Sequence, residues 1–199
     1  VCGADETSRD LRQVLEKRPC WLYEGSGLAE DEDACWYREP LAYEGRVFVF
    51  GGGHVAKALV PVLTQVGFFC VVVDDREEFA NAVQFPQAEQ TIVAYFSDLS
   101  ADVQVTCHDY VCIMTRGHIG DYEVQRQMLA CHPYYLGVIG SRTKLAFVRN
   151  KLRKDGFTDD EIDTCHAPIG LPISAATPEE IAVSIAAELI AVRARREGR

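Results

Sequence analysis

A doubly wound parallel α/β sheet is the fold this chain predicts, on three observations. Short apolar runs alternate with amphipathic segments from Arg46 onward. The first such run, Val47 to Phe50, meets a glycine triplet, Gly51 to Gly53, before the first amphipathic segment begins. A second apolar run, Phe68 to Val73, ends in two acids, Asp74 and Asp75. Strand, tight glycine turn, helix, strand and acid, in that order, form the first unit of a Rossmann-like dinucleotide-binding domain with helices on both faces of its sheet.

Each element has a physical basis. The apolar runs predict strands at 46–50, 69–74, 91–95, 109–114 and 135–139, and the segments between and after them predict helices at 53–66, 118–130, 142–154 and 178–195. Strands that read as continuous apolar runs are those buried on both faces of a parallel sheet. Gly67 stops the first helix. Pro61, inside that helix, predicts a kink or a shorter helix. The segment 79–90, with Pro86, reads as irregular. Thr177-Pro178-Glu179-Glu180 is a strong helix start, with a capping threonine, a proline at the first helical position and a capping-box glutamate. The following IAVSIAAELIAV is apolar around most of its circumference. It must bury more than one face, either deep in this domain or in a contact between protomers, so a homodimer is expected.

Residues 1–45 differ in character and are expected to form an N-terminal extension to a nucleotide-binding domain at 46–199. Asp5 to Arg18 carries Leu11, Val14 and Leu15 on one side and predicts a short helix. Pro19 to Tyr23 and Ala34 to Tyr37 are short aromatic segments flanking an acidic, glycine-containing connector, Glu24 to Asp33, and suggest a small hairpin or edge attachment. The sequence opens on Val1, consistent with a trimmed chain or a piece of a longer one.

Composition narrows the class. Of 199 residues, 48% are hydrophobic and 25% charged, as in ordinary globular domains. No apolar run reaches the about 18 residues of a membrane span, and no secretion signal is visible, so a cytoplasmic location is expected. The formal net charge of −10 argues against nucleic acid as a partner. The cations Arg142, Lys144, Arg149, Lys151, Arg153 and Lys154 run against that trend and read mostly as a solvated helix face. Eight cysteines in such a core suit free thiols in a reducing compartment, with Cys70 and Cys112 as buried small hydrophobes. Three Cys-His pairs (107–108, 131–132, 165–166) would make a metal site only if the fold gathered them; no metal is expected.

In a doubly wound sheet, ligands sit beyond the carboxyl ends of the strands. Four loops therefore hold the candidate site. The first is Gly51, Gly52, Gly53, His54 and Val55. There Gly51 takes a positive φ, Gly53 lets a pyrophosphate approach the backbone, and Ala56 allows close helix packing. Unpaired amides at the helix start would hold phosphates. The second loop is Asp74, Asp75 and Arg76; Asp74, 23 residues after Gly51, would accept from ribose hydroxyls. Arg76 would pair with a 2′-phosphate or with Glu77 or Glu78, and the Asp74 charge favours an unphosphorylated ribose. The third runs from Thr115 and Arg116 to His118 and Asp121, which form either an acid-base pair or a capping pair. The fourth, Gly140, Ser141, Arg142 and Lys144, sets a hydroxyl and two cations at a helix start, a second place suited to an anion. His54 is divided between helix packing and ligand contact. The weak catalytic candidates are His118, Asp121 and His54.

Read together, FVFGGGHVAKAL, VVVDDREEFANAVQFP, IMTRGHIGD, YLGVIGSRTK and PIGLPISAATPEEIAVSIAAELI resemble the C-terminal Rossmann domain of the xanthine dehydrogenase accessory (XdhC/CoxI) family. The resemblance runs from Arg46 to about Val192. It implies a maturation factor that handles molybdenum cofactor for a molybdenum hydroxylase such as xanthine dehydrogenase, together with a cysteine desulfurase. The expected ligand is NAD(P) or another adenine nucleotide, or the molybdenum cofactor itself, a pterin with a phosphate or dinucleotide tail. Full-length members carry a further N-terminal domain with its own Gly- and Ser-rich signature, which residues 1–45 do not show. An NAD(P)-dependent oxidoreductase and a nucleotide-sensing regulator are the alternative functions.

Overall fold

In the computed structural model, residues 9–11, 27–31, 34–39 and 45–196 are described. The chain divides into two compact units, Val1–Glu44 and Gly45–Arg199. In the first, β1 (Arg9–Leu11), β2 (Gly27–Asp31) and β3 (Ala34–Glu39) form an antiparallel sheet in the order β1-β3-β2. Its register pairs Asp31 with Ala34 at one end of the hairpin and Gly27 with Arg38 at the other. Two expectations are corrected here. Arg9–Leu11 is a strand rather than part of a helix, because it finds backbone partners along β3. Part of the acidic connector is itself β2, so the hairpin joins β2 to β3, not Pro19–Tyr23 to Ala34–Tyr37. Pairing with a neighbour outweighs local propensity in such short strands. The remainder of the expected helix and the Pro19–Tyr23 segment lie outside the described residues.

The second unit is the doubly wound sheet. Its strands are β4 (Arg46–Phe50), β5 (Phe69–Asp74), β6 (Gln90–Val93), β7 (Tyr110–Ile113) and β8 (Tyr135–Val138). All neighbours are parallel, in the order β6-β5-β4-β7-β8. The sheet grows outward from β4 in both directions, so the winding reverses between β4 and β7. The helices are α1 (His54–Gln65), α2 (His118–Cys131), α3 (Arg142–Lys154), α4 (Asp159–Asp163) and α5 (Pro178–Arg196).

Side chains alternate across each strand, and both faces are buried. Val47, Val49, Cys70, Val72, Tyr110, Cys112 and Tyr135 pack against α1 and α5. Phe48, Phe50, Val71, Val73, Val111, Ile113 and Leu136 pack against α2 and α3. Two-sided burial explains why these strands read as unbroken apolar runs. Helix α5 buries Ala182, Ser184, Ile185, Ala186, Leu189 and Val192 within its own domain and leaves Val183 and Ile190 exposed. It starts from the expected capping box: Thr177 Oγ1 accepts from the Glu180 amide at 3.2 Å, and Glu180 Oε2 accepts from the Thr177 amide at 3.1 Å.

Pro61 does not end α1, which continues to Gln65. The missing N–H would have bonded the Lys57 carbonyl, four residues back, and Lys57 is exposed, so water can serve that carbonyl. Helix α4 was not anticipated. It is a single turn held by a complete capping box between Thr158 and Glu161. The chain then runs beside β8 without forming a full strand. The His166 amide donates to Leu136 O, the Val138 amide to His166 O, and the Ile169 amide to Val138 O, at 2.8, 3.0 and 2.9 Å. This strap is fixed from the other side by Glu188 of α5. Glu188 accepts from Tyr135 Oη at 2.8 Å and from the Gly170 amide at 2.5 Å, and lies 2.7 Å from His166 Nδ1. The distinctive PIGL segment therefore seals the β8 edge.

Candidate functional site

The carboxyl ends of β4 and β7 flank the point where the winding reverses, and the glycine turn fills the gap between them. Gly51 has φ +106°, and a Cβ there would stand 2.4 Å from Met114 O. A Cβ on Gly52 would stand 1.9 Å from Phe79 O. These two positions accept no side chain because β7 and the 76–80 turn come against them. Gly53 differs: its φ of −78° is ordinary, and a Cβ would meet nothing within 4 Å. Packing therefore does not require glycine at this position.

The turn's amides divide in the same way. Gly51 donates to Val73 O at 2.7 Å, and Gly52 donates to Asp74 Oδ2 at 2.8 Å. No hydrogen bond among the described residues uses the amides of Gly53, His54 or Val55, and Gly53 supplies no side-chain cap. These unpaired donors at the positive end of α1 suit an anion. His54 is exposed at the first helical position, and Val55 packs against the core below it.

Asp74 departs from expectation. Its side chain is buried, with the residue only 1% exposed. Oδ2 accepts from the Gly52 amide at 2.8 Å and from Arg76 Nη2 at 3.3 Å. Oδ1 accepts from the Arg76 amide at 3.1 Å and from Arg76 Nε at 3.0 Å. A carboxylate has about four lone-pair sites, and here all are taken. Asp74 braces the glycine turn and has no capacity left for a ribose. Arg76 pairs with Asp74 and Asp75 rather than with Glu77 or Glu78, and its guanidinium lies 3.7 Å from the Phe79 ring centroid. Asp75 is exposed, and only its Oδ1 is engaged, 3.4 Å from Arg76 Nε.

The third and fourth loops are tied together by a buried carboxylate. Asp121 Oδ1 accepts from the Thr115 amide at 3.0 Å and from Thr115 Oγ1 at 2.6 Å, and Oδ2 pairs with Lys144 Nζ. Gly120 admits this contact, since a Cβ there would stand 2.6 Å from Thr115 Oγ1. Of the two readings of His118 and Asp121, the acid-base pair does not form. His118 is exposed and sets its ring edge-on to Phe147, with centroids 4.7 Å apart. One helix turn brings residues three apart to the same side, but the deep carboxylate is claimed by a loop amide, a hydroxyl and an ammonium from the next loop. Asp121 and Lys144 therefore fix the relative position of two loops, and Lys144 is not a free anion contact.

Ser141 caps α3, its Oγ accepting from the Lys144 amide at 3.4 Å. Arg142, beside it and close to Gly140, is exposed, as is Arg116. Among the described residues neither guanidinium has an ion pair or hydrogen bond; Arg116 lines a concavity with Asp75 and Tyr95, and Arg142 one with Asp163 and Pro168. Among the described residues Cys70, Cys112 and Cys165 are buried, and Cys107 and Cys131 are exposed. Burial pushes the Cys70 and Cys165 thiols up to about 12 and raises that of Cys112, so all three stay neutral. No group of three His, Cys, Asp or Glu side chains suited to a metal occurs among the described residues.

Sequence reasoning missed the Asp74–Gly52 and Asp121–Lys144 contacts, for which no local pattern exists. It also missed a cavity of about 360 Å³ between the ends of β5, β6 and β7. Its lining includes Asp75, Tyr95 and Arg116, from three separate loops, and Ile119 from the first turn of α2.

An open glycine turn with free amides, at the switch point of a five-stranded parallel sheet, defines a doubly wound, Rossmann-like domain. The XdhC Rossmann domain matches residues 47–189. The chain belongs to that family. It is 31% identical over 167 residues to a probable xanthine dehydrogenase subunit of Bacillus subtilis (strain 168), covering 83% of this chain and 48% of the relative. It is 30% identical over 156 residues to YqeB of Escherichia coli (strain K12), covering 77% of this chain and 28% of that protein. A crystal structure described as a xanthine dehydrogenase from Bacillus halodurans superposes with a TM-score of 0.69 at 30% identity, covering 83% of this chain and 48% of that one. The chain thus spans about half, or less, of the length of these relatives. No helix among the described residues is long and apolar enough to cross a membrane.

Proposed function

We propose that this chain is the nucleotide- or cofactor-binding part of an XdhC-type accessory protein that serves the maturation of a molybdenum hydroxylase. The single observation that carries this reading is the cradle at Gly53. Its open side and the unpartnered amides of Gly53, His54 and Val55 fit a phosphate or pyrophosphate, and Arg116 and Arg142, unpaired on the third and fourth loops, would add positive charge. Such a group is common to NAD(P), other adenine nucleotides and the tail of a molybdenum cofactor. The relatives' names support a xanthine dehydrogenase-like partner, and a cysteine desulfurase fits the same assembly role in the cytoplasm.

The residues hold and orient a ligand more readily than they transform it. Among the described residues, neither His54 nor His118 touches a carboxylate, so neither is equipped as a relay. Asp121, buried in the same helix as His118, is paired with Lys144. The test is mass spectrometry of small molecules released from freshly purified protein, with Gly53→Asp as control. Release of one phosphorylated nucleotide or pterin from wild type, and none from the variant, is the expected result. Ligand retention by Gly53→Asp would put the site elsewhere. Co-purification with a molybdenum hydroxylase from a producing cell tests the partner; recovery without it would refute that part.

A further inference from the structure

We infer that the cavity between α2, α3, α4 and the strap beside β8 binds a small organic monocarboxylate that also carries an amide group. Its volume is about 280 Å³, which suits a compact ligand. Of the candidate residues on the four carboxyl-end loops, only Arg142 lines it. The site therefore goes beyond the phosphate cradle and does not depend on it.

The observation that carries the assignment is Gln125. The residue is 4% exposed and lines the cavity from α2. Among the described residues, its side-chain amide makes no hydrogen bond. Gln127, two positions further along the same helix and less buried, is fully engaged: Oε1 accepts from the Leu99 amide and Nε2 donates to Phe96 O, both at 2.8 Å. A buried amide without partners costs stability. Proteins keep such violations at binding sites, where a ligand completes the bonding.

The walls around Gln125 are fixed. Helix α3 turns one face to the cavity, with Arg142, Leu145 and Arg149 at spacings of three and four residues. Ile162 of α4 and Pro168 of the strap stand among the other lining residues. Arg149 pins α4 in place, its Nη2 donating to Asp159 at 2.8 Å and to Asp163 at 3.0 Å. The strap is held to β8 through the backbone of His166 and Ile169. A cavity with walls fixed in this way loses little ordering entropy when it is filled.

Charge and shape select the ligand class. Arg149 is spent on Asp159 and Asp163, and the Cys165 thiol in the lining is kept neutral by burial. The uncommitted charge is the single Arg142 guanidinium, so a monoanion is matched. A phosphate dianion would leave surplus negative charge beside Asp163. The planar guanidinium fork fits a carboxylate with two parallel hydrogen bonds. Gln125 offers an acceptor and two donors, the complement of another amide. Leu145, Ile162 and Pro168 suit a short aliphatic body between the two polar ends.

The experiment is an NMR titration of the isotope-labelled, full 199-residue chain, following the side-chain amide signal of Gln125. The probes are N-acetyl-L-alanine, N-acetyl-L-alaninamide, propionate and inorganic phosphate. N-acetyl-L-alanine should shift that signal and saturate at millimolar concentration. The alaninamide, which lacks the charge, and propionate, which lacks the amide, should each bind at least about tenfold more weakly. Phosphate should not displace N-acetyl-L-alanine. Arg142→Gln should weaken the acylated amino acid about tenfold. Gln125→Met should weaken it similarly while raising the melting temperature of the ligand-free protein by about 2–4 °C, because an unsatisfied buried amide is removed. A lowered melting temperature would show that the amide serves the fold and would overturn the inference. So would a Gln125 signal that N-acetyl-L-alanine leaves unmoved, or one that phosphate moves equally well.

Discussion

Asp74 shows how a residue chosen for its chemistry can be used for architecture. Its four accepted hydrogen bonds join the glycine turn to the end of β5, and it is buried where no water can replace them. Asp74→Ala would strand the Gly52 amide and leave Arg76 without its main partner. A loss of about 3–5 kcal/mol in denaturant-derived stability is expected, as for other broken buried pairs. A loss below about 1 kcal/mol would mean that the turn stands without it. The neighbouring glycines separate packing from binding. Gly52→Ala must displace the Phe79 backbone and should be strongly destabilising. Gly53→Ala meets open space at an ordinary φ, so its melting temperature should stay within a degree or two of wild type while phosphate-ligand affinity falls. Equal destabilisation by both changes would show that the opening at Gly53 is not real. Asp121 and Lys144 make a third test. In a double-mutant cycle with Asp121→Asn and Lys144→Met, the two changes should couple by more than about 1 kcal/mol, since one partner is fully buried. Simple additivity would show that the loops are held by other contacts.

At the scale of elements, most boundaries were legible. Strands β4 and β5 and helix α3 fall where the apolar runs and the amphipathic segments place them, and α5 begins at its capping box. The basic α3 is less simple than a solvated face. Arg149 pairs with Asp159 and Asp163, and Arg153 with Asp159, pinning α4 to α3, while Lys151 lies over the Tyr122 ring. Hydrogen bonds from Arg153 hold the Asp159 carboxyl below its ordinary range, and those from Arg149 do the same for Asp163. Groups with depressed folded values stabilise above their unfolded value of about 3.9, and that contribution is lost as pH falls through the folded value. The melting temperature should therefore drop as pH is lowered from about 5 to 3, and Asp159→Asn with Asp163→Asn should shorten that drop. An identical acid limb in wild type and double variant would show that these surface pairs contribute nothing. Helix α4 escaped prediction because a single turn has too little periodicity to be seen, although Thr158 and Glu161 carried a capping signal.

Across the whole molecule, the two-sided burial of the sheet predicts a graded thiol chemistry. Cys70, Cys112 and Cys165 are buried and kept protonated, whereas Cys107 and Cys131 are exposed. Partial burial also raises the Cys131 thiol. Of these five cysteines, iodoacetamide at pH 8, followed by peptide mapping, should label Cys107 first, Cys131 more slowly, and the three buried thiols only on unfolding. Early labelling of Cys112 would contradict a closed sheet.

The order of strands, the glycine turn and the family were contained in the sequence, because each depends on residues close together along the chain: apolar period, a positive-φ glycine, a capping box. The family motifs, spread over most of the chain, were legible for the same reason, since each is a local pattern. Local patterns met their limit where partners come from afar. Only the folded chain decides that Asp74 faces inward, that Asp121 takes Lys144 instead of His118, and that Asp75, Tyr95, Arg116 and Ile119 share one cavity. A carboxylate's role depends on which donors the fold brings within about 3 Å of it, and that is a property of packing between distant segments.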